Sequence, residues 1–141
     1  MRLPIQIEVI VFRRVDEVEF LLLKRIPAKG GFWQPVTGGL ESSDMSYRDA
    51  CLRELKEEAG ITSFLNIIEE FYTFNFTEDI ERKEICFGVE VAADTVVDFS
   101  GNVYPEHSEY RWVSLAEALK LLKWQNNKDA FKVLSEIISK N

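Results

Sequence analysis

The chain has 141 residues, a length that predicts one domain spanning residues 1–141 with room for a hydrophobic core. A hydrophobic fraction of 46% argues against disorder, and a net charge of −7 without a basic tract argues against binding polymeric nucleic acid. The apolar stretch at residues 5–12 is interrupted by Gln6 and Glu8 and is too short to cross a membrane, so we expect no membrane association.

The two cysteines bear on the cellular compartment. Cys51 and Cys86 have no metal-ligand spacing and lie in a predicted helix and a predicted strand. We therefore expect reduced core thiols and, since no signal peptide is visible, a cytoplasmic protein. A monomer and a homodimer are both compatible with the sequence.

Apolar periodicity along the chain predicts strands that alternate with helices. Strands are expected at residues 5–12, 20–23, 65–76, 85–91 and 110–113, with turns at 13–17, 27–31 and 79–83. Helices are expected from Ser46 to Gly60, from Ser114 to Leu122 and over residues 128–139, and residues 32–37 should lead into the first helix. This order predicts an α/β fold, an α/β/α sandwich with a mixed β-sheet and flanking helices.

The segment from Gly38 to Ile61 carries the strongest chemical signal. On a helix, Glu54, Glu57 and Glu58 have the spacing i, i+3 and i+4, so their carboxylates share one face within a turn. Each uncompensated like-charge pair would cost roughly 0.2–0.5 kcal/mol of helix stability. A divalent cation with hard oxygen ligands, Mg²⁺ or Mn²⁺, is the simplest compensation.

An acidic, solvated helix face is the alternative interpretation, and the flanking sequence argues against it. Gly38 and Gly39 precede the helix, and Gly60 follows it at the position that favours a left-handed residue. The opposite face carries small and apolar residues suited to packing on a sheet. Arg53 lies four residues before Glu57, where it can orient a carboxylate. These features favour a metal site for phosphate chemistry.

The segment resembles the signature of the Nudix hydrolases: a glycine, five residues, a glutamate, seven residues, then Arg-Glu-apolar-x-Glu-Glu-x-Gly-apolar. Residues 53–61 match every fixed position of the second half. In the first half, counting from Gly38 puts Asp44 at the glutamate position and implies one inserted residue. Counting from Gly39 keeps the spacing but puts Met45 there. We favour Asp44, because it retains a carboxylate.

The resemblance implies metal-assisted hydrolysis of a phosphoanhydride with Mg²⁺, or with Mn²⁺, as the cofactor. It also implies a further acid outside the motif, for which Glu106 and Glu109 are candidates, with Glu106 preferred because it precedes a strand in a loop. The lone histidine, His107, is expected to be incidental. The predicted metal ligands are Glu54, Glu57, Glu58 and Glu106, and the predicted catalytic residues are Glu54, Glu57, Glu106 and Arg53, with Glu106 or Glu54 as the base.

Short runs outside the motif resemble one branch of that family, the dihydroneopterin triphosphate and dATP pyrophosphohydrolases. These runs are residues 32–38, the Glu106-His107 pair, and Trp124 with Asn126. The resemblance implies that Arg2, Arg25 and Thr37 contact substrate. Together with the glycine turn, the predicted substrate-binding set is Arg2, Arg25, Thr37, Gly38 and Gly39.

The expected function is hydrolysis of a nucleoside or pterin triphosphate to a monophosphate and pyrophosphate. The expected partner is thus a small-molecule polyphosphate. Two alternatives stay open: a nucleotide-sensing module without turnover, and a pyrophosphatase of ADP-ribose or a nucleotide sugar.

Overall fold

The computed structural model describes residues 4–100 and 106–140. Its strands are β1 (Ile5–Arg14), β2 (Val18–Arg25), β3 (Trp33–Gln34), β4 (Val36–Gly39), β5 (Asn66–Thr77), β6 (Glu81–Glu90) and β7 (His107–Val113). Its helices are α1 (Tyr47–Ala59), α2 (Leu115–Leu121) and α3 (Gln125–Ser139), and a 3₁₀ turn lies at Pro27–Lys29. The alternation of strands and helices confirms the predicted α/β class.

Within the described residues the strands form a seven-stranded mixed sheet around β1. One edge of β1 pairs in parallel with β6, and β5 pairs antiparallel with β6. The other edge of β1 is shared, because its first half pairs with β4 and its last residues pair with β2. β2 in turn pairs with β3 and β7. The shared edge brings the glycine-bearing strand β4 to the centre of the sheet.

Helices cover both faces of this sheet, as predicted. Successive residues of β1 point to opposite faces, so Ile7 packs in the core beneath α1, while Ile10 packs in the core beneath α2 and α3. The first core receives Cys51 and Leu55 from α1. Burial of apolar surface, which stabilises the fold by about 25 cal/mol for each Å² removed from water, is the main force that holds the three layers together. No helix in the described part of the chain is long and apolar enough to cross a membrane.

Three elements differ from the sequence-based expectations. Residues 32–37 were expected to lead directly into the first helix, but they contribute to β3 and β4, because β2 and β1 offer free edges there. Residues 81–83, expected in a turn, extend β6 and pair with the end of β5. Helix α3 begins at Gln125 instead of residue 128. Each difference reflects pairing or packing with distant segments, which local patterns do not contain.

Helix α1 starts and ends where its capping residues predict. Ser46 Oγ accepts a hydrogen bond of 3.0 Å from the backbone N–H of Asp49. Gly60 adopts a left-handed conformation with φ 67° and ψ 20°, and its N–H donates to the carbonyls of Leu55 and Lys56. The two caps define which residues of α1 face the sheet.

Gly60 provides a test of this helix end. A Cβ at position 60 would lie 2.5 Å from the backbone oxygen of Asp98, and the positive φ adds strain for any L side chain. We expect Gly60→Ala to lower the free energy of unfolding by about 1–3 kcal/mol. Gly31→Ala is the matched control, because Gly31 also has φ +67° but its Cβ would have no atom closer than 3.8 Å. Equal losses in chemical denaturation would contradict the role of the Asp98 contact.

Candidate active site

The guanidinium of Arg53 is the centre of the motif. Nε and Nη2 donate to the two carboxylate oxygens of Asp44, both at 2.9 Å. Nη1 donates to Glu54 at 2.7 Å and to Glu57 at 3.2 Å, and Nη2 also donates to the carbonyl of Gly39 at 3.0 Å. One cation thus joins α1, β4 and the loop between them, in the bidentate geometry that only arginine offers a carboxylate.

Asp44 occupies the position where the family signature has a glutamate. Its carboxylate also accepts a hydrogen bond of 2.8 Å from the backbone N–H of Glu41. The hydrogen bonds from Arg53 lower the pKa of Asp44 below its usual value. Met45, the residue that the other alignment would place there, has 89% of its surface exposed. The inserted residue therefore leaves the carboxylate in contact with Arg53.

The carboxyl group of Glu54 lies directly against the backbone of Gly38. A side chain at position 38 would overlap it, which explains the glycine. Burial raises the pKa of Glu54 to about 7, opposed by Arg53 and assisted by the negative charges of Glu58 and Glu57. A carboxyl group with this pKa can gain or lose a proton near neutral pH.

Glu58 extends toward His107, at the start of β7. His107 Nδ1 lies 3.1 Å from Glu58 Oε2, and this pair is the polar contact of that buried oxygen among residues 4–100 and 106–140, although its geometry is poor for a hydrogen bond. The other ring nitrogen of His107 lies 2.9 Å from the side-chain nitrogen of Gln34. His107, expected to be incidental, is in fact buried beside a predicted metal ligand.

A cleft of about 580 Å³ opens beside these acids. It contains Gly38, which touches Glu54, and Gln34, which contacts His107. Its remaining lining includes both predicted substrate residues and unpredicted ones: Gln6, Arg25, Lys29, Phe32, Pro35, Thr37, Phe74, Phe76, Thr77, Glu78, Glu84, Glu106, Trp124, Asn126 and Asn127. A second, more open depression of about 630 Å³ lies beside the loop at residues 40–47 and includes Asp44, but neither Gly38 nor Gln34. The first cleft is therefore the one that adjoins Glu54 and His107.

The structure brings some predicted substrate residues to the cleft and not others. Arg25 and Thr37 line it, although the Arg25 Nε–H donates to the carbonyl of Lys29 at 2.9 Å. Gly39 is outside the lining, and its carbonyl accepts a hydrogen bond from Arg53. Arg2 lies outside the described residues.

Glu106 also lines the cleft, where its carboxylate is 3.3 Å from Lys29 Nζ. Its backbone carbonyl accepts a hydrogen bond of 2.9 Å from Ile26, which fixes the loop against the end of β2. No group of three acidic, histidine or cysteine side chains in the described ranges is already arranged around a common point for a metal. The predicted ligands Glu54, Glu57 and Glu58 share α1, whereas Glu106 is paired with Lys29.

The donors nevertheless fit a hard divalent cation. Glu58 offers a buried carboxylate whose only recorded polar contact at Oε2, among the residues that the structure describes, is His107 Nδ1 at 3.1 Å, and a bound cation would offset the cost of burying this charge. Glu54 offers a buried carboxyl group that would lose its proton more readily beside a cation. Oxygen donors of this kind are those that Mg²⁺ and Mn²⁺ prefer.

Aromatic residues that were not predicted to bind substrate also line the cleft. Trp33 is not one of them, because it packs beneath the guanidinium of Arg111, whose carbon lies 4.8 Å from the ring centroid. Trp124 and Phe32 line the cleft, in edge contact with ring centroids 6.3 Å apart. Phe74 and Phe76 line the same cleft from β5, a placement that local sequence patterns do not contain.

Comparison with known proteins agrees with this geometry. Residues 4–135 match the NUDIX domain family. The chain belongs to the Nudix family. It is 35% identical over 130 residues to the asymmetrical bis(5'-nucleosyl)-tetraphosphatase of Sus scrofa, with 84% of both chains covered. The predicted enzyme class, a Nudix-type hydrolase of acid anhydrides, is confirmed at the level of the family.

Other relatives refine the comparison. The dihydroneopterin triphosphate diphosphatase of Haemophilus influenzae is 32% identical over 115 residues, covering 72% of this chain and 69% of that one, which confirms the predicted resemblance. An octanoyltransferase of Myxococcus xanthus is 33% identical over 126 residues, but the chain spans 34% of its length. A crystal structure of a C. elegans Ap4A hydrolase complex has a TM-score of 0.85 at 22% identity, with 99% of this chain and 100% of that chain covered. This last likeness confirms the Nudix fold.

The raised pKa of Glu54 predicts a pH dependence of stability in this Nudix chain without metal. Because the folded-state pKa of about 7 exceeds the ordinary value of 4.5, the folded protein binds more protons between those pH values. The free energy of unfolding should therefore fall as pH rises from about 4.5 to 7, by on the order of 2 kcal/mol. Denaturation in a chelating buffer across this range measures the slope. Glu54→Gln should flatten it, whereas Glu117→Gln, at a half-exposed site on α2, should leave it unchanged.

Proposed function

We propose that this chain hydrolyses a phosphoanhydride bond in a nucleoside or pterin polyphosphate, with Mg²⁺ as the cofactor and a monophosphate and pyrophosphate as the products of a triphosphate. The observation that carries the proposal is the pair of buried carboxyl groups of Glu54 and Glu58 on one helix, next to a cleft that contains cationic side chains. The names of two relatives, a dinucleoside tetraphosphatase and a dihydroneopterin triphosphate diphosphatase, support the substrate class.

In this proposal Glu54, Glu57 and Glu58 hold the metal, with Glu106 as a further ligand. When bound, Mg²⁺ neutralises charge on the phosphate oxygens and lowers the pKa of a water molecule. Arg53 holds Glu54 and Glu57 in place through its hydrogen bonds to both. These side chains supply position and charge, which are the main requirements of phosphoryl transfer.

Glu54 is one candidate for the base, since its carboxyl group lies against Gly38 at the edge of the cleft. Glu106 is the second candidate, and it would first have to leave Lys29. Arg25 and Lys29 line the same cleft and can neutralise phosphate charge that the metal leaves uncompensated.

The proposed function is tested by Glu58→Gln. We expect this variant to fold normally and to lose turnover by about 100-fold or more, because the change removes one of the carboxylates that would hold the metal. Turnover is measured with Mg²⁺ on nucleoside triphosphates, dinucleoside tetraphosphates, dihydroneopterin triphosphate and ADP-ribose, with products identified by mass.

Glu109→Gln is the matched control, since Glu109 was the alternative acid and its side chain is 50% exposed on β7. It should retain normal turnover. Full activity of Glu58→Gln on every substrate would contradict the site. Nucleotide binding by the unmodified chain without product release would favour a sensor instead.

A further inference from the structure

A buried polar cluster, distinct from the motif, forms the floor of the cleft. It consists of Glu8 on β1, Glu84 on β6 and Asn127 on α3, with 0%, 5% and 8% of their surfaces exposed. The Asn127 side-chain N–H donates to Glu8 Oε1 at 2.5 Å. Glu84 and Asn127 line the cleft, whereas Glu8 lies beneath them. Nothing in the proposed hydrolysis uses these three residues.

The sheet register places the cluster under the cleft. Gln6 pairs with Glu84, and Glu8 pairs with Cys86, in the parallel ladder between β1 and β6. These side chains all point to the face covered by α3, because alternate residues of a strand share a face. Asn127 descends onto them from the first turn of α3. The cluster is therefore built by the fold and is not a chance contact of surface side chains.

Burial raises the pKa of both carboxyl groups in this cluster. Burial, followed by hydrogen bonding to Glu84, raises the pKa of Glu8 well above its ordinary value. Burial likewise raises the pKa of Glu84, and the contacts of Glu84 with Glu8 and Asn127 oppose this shift only in part. Glu8 Oε2 has no hydrogen-bond partner among the described residues. Glu84 is the member of the pair that lines the cleft, where its carboxyl oxygens can accept hydrogen bonds from a ligand.

The walls of the cleft favour a flat ligand. Phe74 and Phe76, 6.0 Å apart between ring centroids, line it on β5, and Trp124 lines it beside α3. Trp124 is 53% exposed, so its ring is accessible to a ligand. Aromatic faces stack on planar heterocycles, while an acceptor on the floor selects the edge of the ring.

We propose that Glu84 recognises a ring N–H and an adjacent exocyclic amino group, the donor pair found in guanine and in pterins. This inference rests on the proposed function, and it narrows the substrate to polyphosphates that carry a 2-amino-4-oxo ring. Both oxygens of one carboxylate can accept from such an edge, as carboxylates do with other paired donors. Gln6 lines the same cleft and supplies an amide that can donate to the neighbouring ring carbonyl.

Other bases form fewer hydrogen bonds with the Glu84 oxygens on the floor of the cleft. Adenine presents an amino donor next to a ring nitrogen acceptor, so one Glu84 oxygen would face a lone pair. Hypoxanthine keeps the ring N–H but lacks the amino group, which leaves one oxygen unpaired. A buried acceptor left without a donor loses the hydrogen bond and gains no compensating contact with water.

The test compares kcat/KM for GTP, ITP and ATP with Mg²⁺. We expect GTP to exceed ITP by about tenfold or more, which corresponds to about 1.4 kcal/mol for the missing amino group, and ATP to be poorer than GTP. The kcat/KM for dihydroneopterin triphosphate should also exceed that for ITP. The ratio of the kcat/KM values for dihydroneopterin triphosphate and GTP identifies whether the ligand is a pterin or a guanine. Glu84→Gln should reduce the GTP-to-ITP ratio toward one.

Glu81→Gln is the matched control, because it removes the same charge from an exposed position on the same strand, β6, outside the lining of the cleft. It should leave the GTP-to-ITP ratio unchanged. Equal kcat/KM for GTP and ITP in the unmodified chain, or an unchanged ratio in Glu84→Gln, would overturn the inference while leaving the proposed function intact.

Failure of the proposed function has a different signature. If no polyphosphate is cleaved, recognition of the ring by Glu84 can be tested separately. Calorimetry then compares the affinities of GMP and IMP in a chelating buffer. Tighter binding of GMP supports the inference without hydrolysis, and equal binding overturns it. If Glu84→Gln does not fold, the comparison of GMP with IMP on the unmodified chain decides the question.

Discussion

The geometry of the motif depends on the placement of one guanidinium among carboxylates. Without Arg53, Glu54, Glu57 and Asp44 would face one another with no cation between them, and their repulsion would splay the loop from α1. Because the guanidinium is planar and has five N–H donors, it can bind Asp44 with one edge and still reach both glutamates. The carbonyl of Gly39 completes the set and ties β4 to the helix. A lysine could supply the charge but not this geometry.

Strand β4 connects this network to the cleft. Thr37 pairs with Glu8 and Gly38 pairs with Ile7, so neighbouring residues of β4 face opposite sides of the sheet. Gly38 lies against the Glu54 carboxyl group on the α1 side, while Thr37 lines the cleft on the other. The absence of a side chain at Gly38 therefore lets the acids of α1 reach the edge of a cleft formed on the opposite face.

Much of this arrangement is predictable from local sequence, and the remainder depends on distant pairing. The limits of α1 followed from Ser46 and Gly60, because capping is a local interaction. The contact between Asp44 and Arg53 is predictable from local sequence, since both residues belong to one motif. The burial of His107 beside Glu58 was not, because it arises from the antiparallel pairing of β7 with β2. The Nudix fold followed from the motif, while the cleft floor required the register of β1 and β6.

The cost of burying acids argues that the cleft was shaped for a ligand. A folded chain gains nothing from placing Glu8 and Glu84 together under α3, where apolar residues would pack without any desolvation penalty. The same holds for Glu54 and Glu58, whose neighbours on α1 and β1 are apolar core residues. Acidic side chains are buried twice around one cleft, and function is the simplest explanation, because active sites are where proteins retain the cost of burying charge. Here the two clusters would act on the two ends of one molecule, the polyphosphate at the motif and the ring at the floor.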